Sequence, residues 1–258
     1  MQSQFSNKIA KIGTCRFIIL SLFVLLLQEN ISAQVIRKSQ VSFNSSDGLL
    51  INADLFQSKK SNPYIILFHQ EESCRGEFDS IVSRFIKMNY NCLAVDLRSG
   101  DDLGFTKNQT AIRARENGYV FSIAASSRDV EAAIAYIHEI TTKKIILFGS
   151  ASSANLTLIT GRCNDNVNAI VAFSPGEYFA PEYELKSILS NYPKPIFIAC
   201  TKEEYEYISN IEGLDASNTT LFKTSSDGGV RGTMALSSQN HSRDEYWLAM
   251  LIFFKSLQ

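Results

Sequence analysis

The sequence predicts an α/β domain with a mostly parallel central sheet of about eight strands flanked by helices. Three observations predict it. Short apolar runs recur along the chain, at 41–43, 50–56, 64–68, 92–95, 145–148, 169–173, 196–199 and more weakly at 221–223, and helical patterns lie between most of them. One of those patterns, 77–88, sets Phe78, Ile81, Val82, Phe85 and Ile86 on a single stripe, as a helix packed on a sheet requires. The third is the passage Lys144-Ile145-Ile146-Leu147-Phe148-Gly149-Ser150-Ala151-Ser152-Ser153-Ala154-Asn155-Leu156, a buried-type strand running through small residues into a helix.

The first elements form an antiparallel hairpin, because Ser46-Asp47-Gly48 supplies a turn between 41–43 and 50–56. Helices are expected at 77–88, 128–139, 153–161 and from Arg243 onward, and the strand at 145–148 is taken to end at Gly149. The longest irregular stretch is 98–126, which the topology puts at the carboxyl ends of the strands, where open α/β sheets bind ligands. Residues 174–194 are too few for a large cap domain.

Composition restricts the function classes. Lys+Arg at 25 against Asp+Glu at 26, with no basic run, gives no electrostatic footprint for nucleic acid. The three histidines are widely separated and no Cys-x-x-Cys occurs, so no metal or other cofactor is expected. Lys8, Lys11 and Arg16 precede an apolar run, 17–27, that is too short to span a bilayer. Residues 1–33 therefore read as a signal peptide with cleavage between Ala33 and Gln34, leaving 34–258 as one domain, periplasmic or secreted and without stable membrane association. An uncleaved anchor is the competing reading. Of the four cysteines left after cleavage, Cys92 and Cys200 sit in strand-like apolar runs where a free thiol packs as a small hydrophobe.

The strand-to-helix passage resembles a nucleophile elbow, whose tight turn needs small residues two before and two after the nucleophile. Counted from Gly149, the nucleophile position is Ala151 and the following small position is Ser153. Alanine has no atom that attacks a carbonyl. A register slipped by one would place Ser152 there, and Ser150 is the other nearby hydroxyl.

Further motifs carry the likeness: Leu67-Phe68-His69-Gln70 with Ser73-Cys74-Arg75-Gly76-Glu77-Phe78, Ala94-Val95-Asp96-Leu97-Arg98-Ser99-Gly100, and Val171-Ala172-Phe173-Ser174-Pro175-Gly176-Glu177-Tyr178-Phe179. Together they resemble the α/β-hydrolases of the dienelactone-hydrolase-like group found in bacteria, over most of the chain after residue 33. The resemblance implies an oxyanion hole from the backbone of His69-Gln70 and of Ser152. The His69 side chain itself reads as a hydrogen bond from its loop to the sheet, with catalysis as the alternative. It implies an acid at Glu204, or else Glu203, which also reads as an ordinary acidic helix start. The histidine of such a triad falls at Arg231, and arginine cannot take a proton from serine.

Two independent losses, at Ala151 and at Arg231, point to an exported protein of hydrolase ancestry with a degenerate triad, a pseudoenzyme that binds a small organic anion or ester-like ligand. The alternative is an active hydrolase of small esters or lactones using Ser152 or Ser150 with His241 and Glu204. A third reading places non-hydrolytic chemistry on Glu71, Glu72 and Arg231.

Overall fold

The computed structural model describes residues 36–143 and 145–257. The expected leader at 1–33, its cleavage site and Lys144 lie outside the described residues. Eight strands form one sheet: β1 (Arg37–Asn44), β2 (Leu50–Gln57), β3 (Tyr64–Phe68), β4 (Asn91–Val95), β5 (Ile145–Ser150), β6 (Val167–Phe173), β7 (Ile196–Ala199) and β8 (Thr219–Phe222), in the order β1-β2-β4-β3-β5-β6-β7-β8. The first two make the expected hairpin, Asn44 facing Leu50, with Gly48 at φ +87° in its turn. β2 runs antiparallel to β4, and every pairing from β4 to β8 is parallel.

The chain passes from β3 to β4 on one side and returns to β5 on the other. This reversal opens a switch point beyond the carboxyl ends of β3 and β5, the place where such sheets bind ligands. β3, β4 and β5 are buried throughout, which explains their unbroken apolar runs. Because successive side chains alternate between faces, Ile65, Leu67, Ile146 and Phe148 join an aromatic-rich core with Phe85, Phe173, Phe197, Trp247 and Phe254. Ile66, Phe68, Ile145 and Leu147 join the opposite core with Ile134, Ile137, Leu156 and Leu189.

Among the described residues, seven α-helices cover the two faces: α1 (Val82–Lys87), α2 (Gln109–Glu116), α3 (Ser127–Ile140), α4 (Ser152–Gly161), α5 (Leu185–Leu189), α6 (Lys202–Ser209) and α7 (Arg243–Ser256). Between β6 and β7 the only helix is the short α5, and no cap domain is present there. Among the described residues no helix is long and apolar enough to cross a membrane. Among the described residues Cys74, Cys92, Cys163 and Cys200 are unpaired, and all but Cys163 are buried.

Three sequence expectations need correction. The helix at 77–88 is interrupted: residues Arg75–Phe78 form a 3-10 turn, and α1 begins only at Val82. Arg75 causes this by hydrogen-bonding Asp96 through both its backbone N–H (3.0 Å) and its guanidinium (2.5 Å), which fixes the turn on the end of β4. The stretch 98–126 is not wholly irregular, since it contains α2. Asn108 starts that helix by accepting the Ala111 N–H at 2.8 Å, and the buried residues are Thr110, Ala111 and Ala114. A helix that buries only small residues shows no apolar stripe in its sequence, although the Asn108 cap was a readable sign. Finally, β5 runs one residue past Gly149, to Ser150 paired with Phe173.

Candidate functional site

Gly149 makes the turn after β5 possible. A β-carbon there would lie 2.4 Å from the Ser153 carbonyl and 2.6 Å from Ala154, so the start of α4 crosses against bare backbone. Ala151 then takes φ +52° and ψ −116°, a strained conformation for a residue with a β-carbon. Its N–H donates to the Phe173 carbonyl at 2.8 Å, locking the turn on β6. The positive φ falls on Ala151, while Ser152 is already the first residue of α4.

The three serines around the turn fasten backbone. Ser153 donates to the Phe68 carbonyl (2.6 Å) and accepts the Ser150 N–H (2.9 Å), joining the turn to β3. Ser152 Oγ accepts the Glu71 N–H at 3.2 Å. Ser150 Oγ accepts the Thr233 N–H at 3.2 Å and is fully buried. Sequence reading found Ser150 and Ser152 as hydroxyls but missed the fastening role of Ser153, which nothing in its local sequence distinguishes from a helix-start serine.

His69 is completely buried, and its Nε2 accepts the Leu97 N–H at 2.9 Å. The proton therefore sits on Nδ1, which donates to the Gln70 carbonyl at 2.6 Å. Burial pushes the imidazole pKa down to about 4. Between pH 6.5 and 4 the unfolded chain accepts a proton at this residue that the folded chain refuses, so folding loses stability as pH falls through that window. We expect the stability advantage of the wild type over His69→Gln to shrink by about 3 kcal/mol across it, from a shift of roughly two to three pKa units. Urea titrations of both proteins at pH 7, 5 and 4 measure this; a constant difference between them would contradict it.

The loop that begins at Gln70 is tied through the Gln70 amide, which was expected in the oxyanion hole, and through the Glu71 amide, which was not. Gln70 N–H donates to Glu77 Oε2 at 3.1 Å, and Glu71 N–H is the donor to Ser152 described above. The carboxyls of Glu71 and Glu72 are exposed, with Glu72 at φ +58°.

Glu204 combines two features. It is the third residue of α6 and completes a capping box, its Oε2 accepting the Thr201 N–H at 2.9 Å while its N–H donates to Thr201 Oγ1. Its other oxygen, Oε1, stands 2.7 Å from Arg231 Nε. Arg231 Nη2 donates to Tyr178 Oη at 2.8 Å, and the arginine side chain is 64% exposed. The positions matched to the acid and the base are thus brought together as an ion pair. Glu203 is exposed and is not part of it.

His241 lies in the exposed turn before α7, and among the described residues no hydrogen bond joins it to Ser150, Ser152 or Glu204. Among the same residues, no three His, Cys, Asp or Glu side chains converge as a metal site would require.

The segment that carries Arg231 is fastened over the elbow. Gly232, at φ +60°, donates its N–H to Ser174 Oγ at 3.0 Å, and a β-carbon on it would lie 2.8 Å from Ser150 Oγ. Sequence reading missed both Ser174 and Glu77, whose partners are 58 and 156 positions away.

Strand order, turn geometry and the loops gathered over the switch point define an α/β-hydrolase fold. No protein-family model matches the chain, and no curated protein matches it in sequence. Solved structures do resemble it. An esterase from Pyrococcus furiosus superposes with a TM-score of 0.64 at 16% identity, covering 86% of this chain and 93% of the esterase. A putative dienelactone hydrolase from Klebsiella pneumoniae gives 0.63 at 16% identity over 86% and 99% of the two chains. A predicted CIB-like hydrolase from Thermoplasma acidophilum gives 0.62 at 12% identity over 86% and 100%.

Proposed function

We propose that this chain is a non-catalytic α/β-hydrolase-fold protein, exported with cleavage between Ala33 and Gln34, that binds a small organic anion or ester-like ligand at the site its triad once occupied. One observation carries the reading. The strained elbow position holds the methyl group of Ala151, and the position matched to the triad histidine holds Arg231, already ion-paired to Glu204. Loss of a nucleophile costs a serine hydrolase on the order of a millionfold in turnover. Arginine supplies no base in compensation, because it stays protonated.

Glu204 and Tyr178 engage only Nε and Nη2 of the guanidinium, so the exposed Arg231 keeps donors for a third acceptor such as a carboxylate. The Glu204 charge opposes such an anion, and weak binding is expected.

The test has two arms. Fluorophosphonate should leave the mature protein unlabelled, and nitrophenyl acetate hydrolysis should match a Ser152→Ala control. Small organic acids should shift the melting temperature of the wild type and not of Arg231→Ala. Stoichiometric labelling of Ser152 or Ser150 would establish the active-hydrolase alternative instead, and the absence of any Arg231-dependent shift would remove the anion.

A further inference from the structure

The Glu77 carboxyl belongs to no triad position, yet it joins two of the segments around the elbow. Oε2 accepts the Gln70 N–H from the loop after β3 (3.1 Å), and Oε1 accepts the Thr233 hydroxyl from the segment after β8 (2.5 Å). The hydroxyls of Ser73 and of Ser150, the residue just before Ala151, stand near it and favour its charged form. The carboxyl is enclosed although the residue as a whole is only partly buried, and this enclosure raises its pKa above the ordinary glutamate range.

A backbone N–H and a hydroxyl from two distant segments converge on the two carboxyl oxygens, with the Ser73 and Ser150 hydroxyls nearby, and such a set of donors suits a carboxylate. We infer that the old oxyanion loop is a carboxylate site already filled by the chain's own Glu77, so that the vacated active site is self-liganded. The inference rests on the same register of the elbow as the proposed function and adds a division of labour to it. An external acid is excluded from the Gln70 amide and is left with Arg231.

Two consequences follow from the geometry. Glu77 holds Gln70 and Thr233 together, so removing the side chain should loosen 70–73 and 229–236 while leaving the sheet intact. The space left by Glu77→Gly has the shape of propionate, since the deleted atoms are two methylenes and a carboxylate. Propionate should therefore refill it.

The experiment is amide hydrogen exchange on the mature wild type, Glu77→Gly and Glu77→Gln, with propionate, propionamide or sodium chloride at matched concentration. In Glu77→Gly the amides of Gln70 and Thr233 should exchange at least about tenfold faster than in wild type, with β5 and β6 unchanged. Propionate should reverse this in the variant, and propionamide and chloride should not. Adding Arg231→Ala to Glu77→Gly should leave the propionate response intact, whereas the ligand binding proposed above would be abolished. Unchanged exchange in Glu77→Gly, equal protection of the wild type by propionate, or no propionate effect would each overturn the inference. If Glu77→Gly does not fold, Glu77→Gln decides. It retains one acceptor but presents an NH2 group to the hydroxyls, so faster exchange at Gln70 and Thr233 supports the site and unchanged exchange overturns it.

Discussion

Ala151→Ser combined with Arg231→His should hydrolyse nitrophenyl acetate at least about a hundredfold faster than the wild type, with neither single change doing so. The threshold is the lower end of what a positioned general base contributes. The backbone is already shaped for a nucleophile, because Ala151 holds the positive φ and Gly149 leaves room for the crossing helix. Serine alone would lack a base, since Arg231 stays charged and Glu204 is occupied by it and by the α6 cap. Histidine alone would have no hydroxyl to activate. Together they place an imidazole on the segment that lies over the elbow, with Glu204 released from the guanidinium and available to orient it. The Gln70 amide would still be engaged by Glu77, so the rate should remain far below that of a native esterase. Activity in Ala151→Ser alone would show that another base, such as His241, reaches the site. No activity in the double variant would contradict the assigned register of the elbow or of Arg231.

Asp129→Ala should cost about 3 kcal/mol of folding stability, because it removes one of the two carboxylates that hold a fully buried arginine. Arg98 has no solvent exposure, and its Nε and Nη2 meet Asp129 Oδ1 at 3.0 and 2.8 Å. The backbone N–H of Arg98 also donates to Asp129, at 2.9 Å. Burial pushes the Asp129 carboxyl up to about 6, so at neutral pH it is still charged and the pair is ionic. Asp47, at 2.6 Å from Nη1, is partly exposed and would be left holding the cation alone. Urea denaturation measures the loss as a lower midpoint at constant slope. The paired replacement Arg98→Met with Asp129→Leu should recover most of it, because removing both charges leaves no unpaired buried ion. A loss below 1 kcal/mol in the single variant would show that water reaches Arg98.

Both expectations begin in motifs that the sequence displays, but the roles differ in how they could be read. Gly149-x-Ala151-x-Ser153 is legible because the constraint is local: a turn that tight admits only small residues at fixed spacing, whatever surrounds it. The strand runs are legible for the same reason, since burial on both faces demands continuous apolar sequence. Arg98 could be seen only as part of a resembling motif. That it is sealed between Asp129 and Asp47 depends on residues 31 and 51 positions away.

By itself, then, the sequence determined the order of strands along the chain and the small-residue passage from Gly149 to Ser153, because each follows from residue type at short spacing, whereas Ala151 and Arg231 were matched to triad positions by resemblance. Only the tertiary structure decided what fills the site. Glu77 and Thr233 are 156 positions apart and meet because the sheet order returns the last loop to the switch point. Ser150, Ser152 and Ser153 carry the same hydroxyl group, yet they fasten Thr233, Glu71 and Phe68 respectively. A hydroxyl's role is set by the backbone group that reaches it, and that is a property of three-dimensional packing.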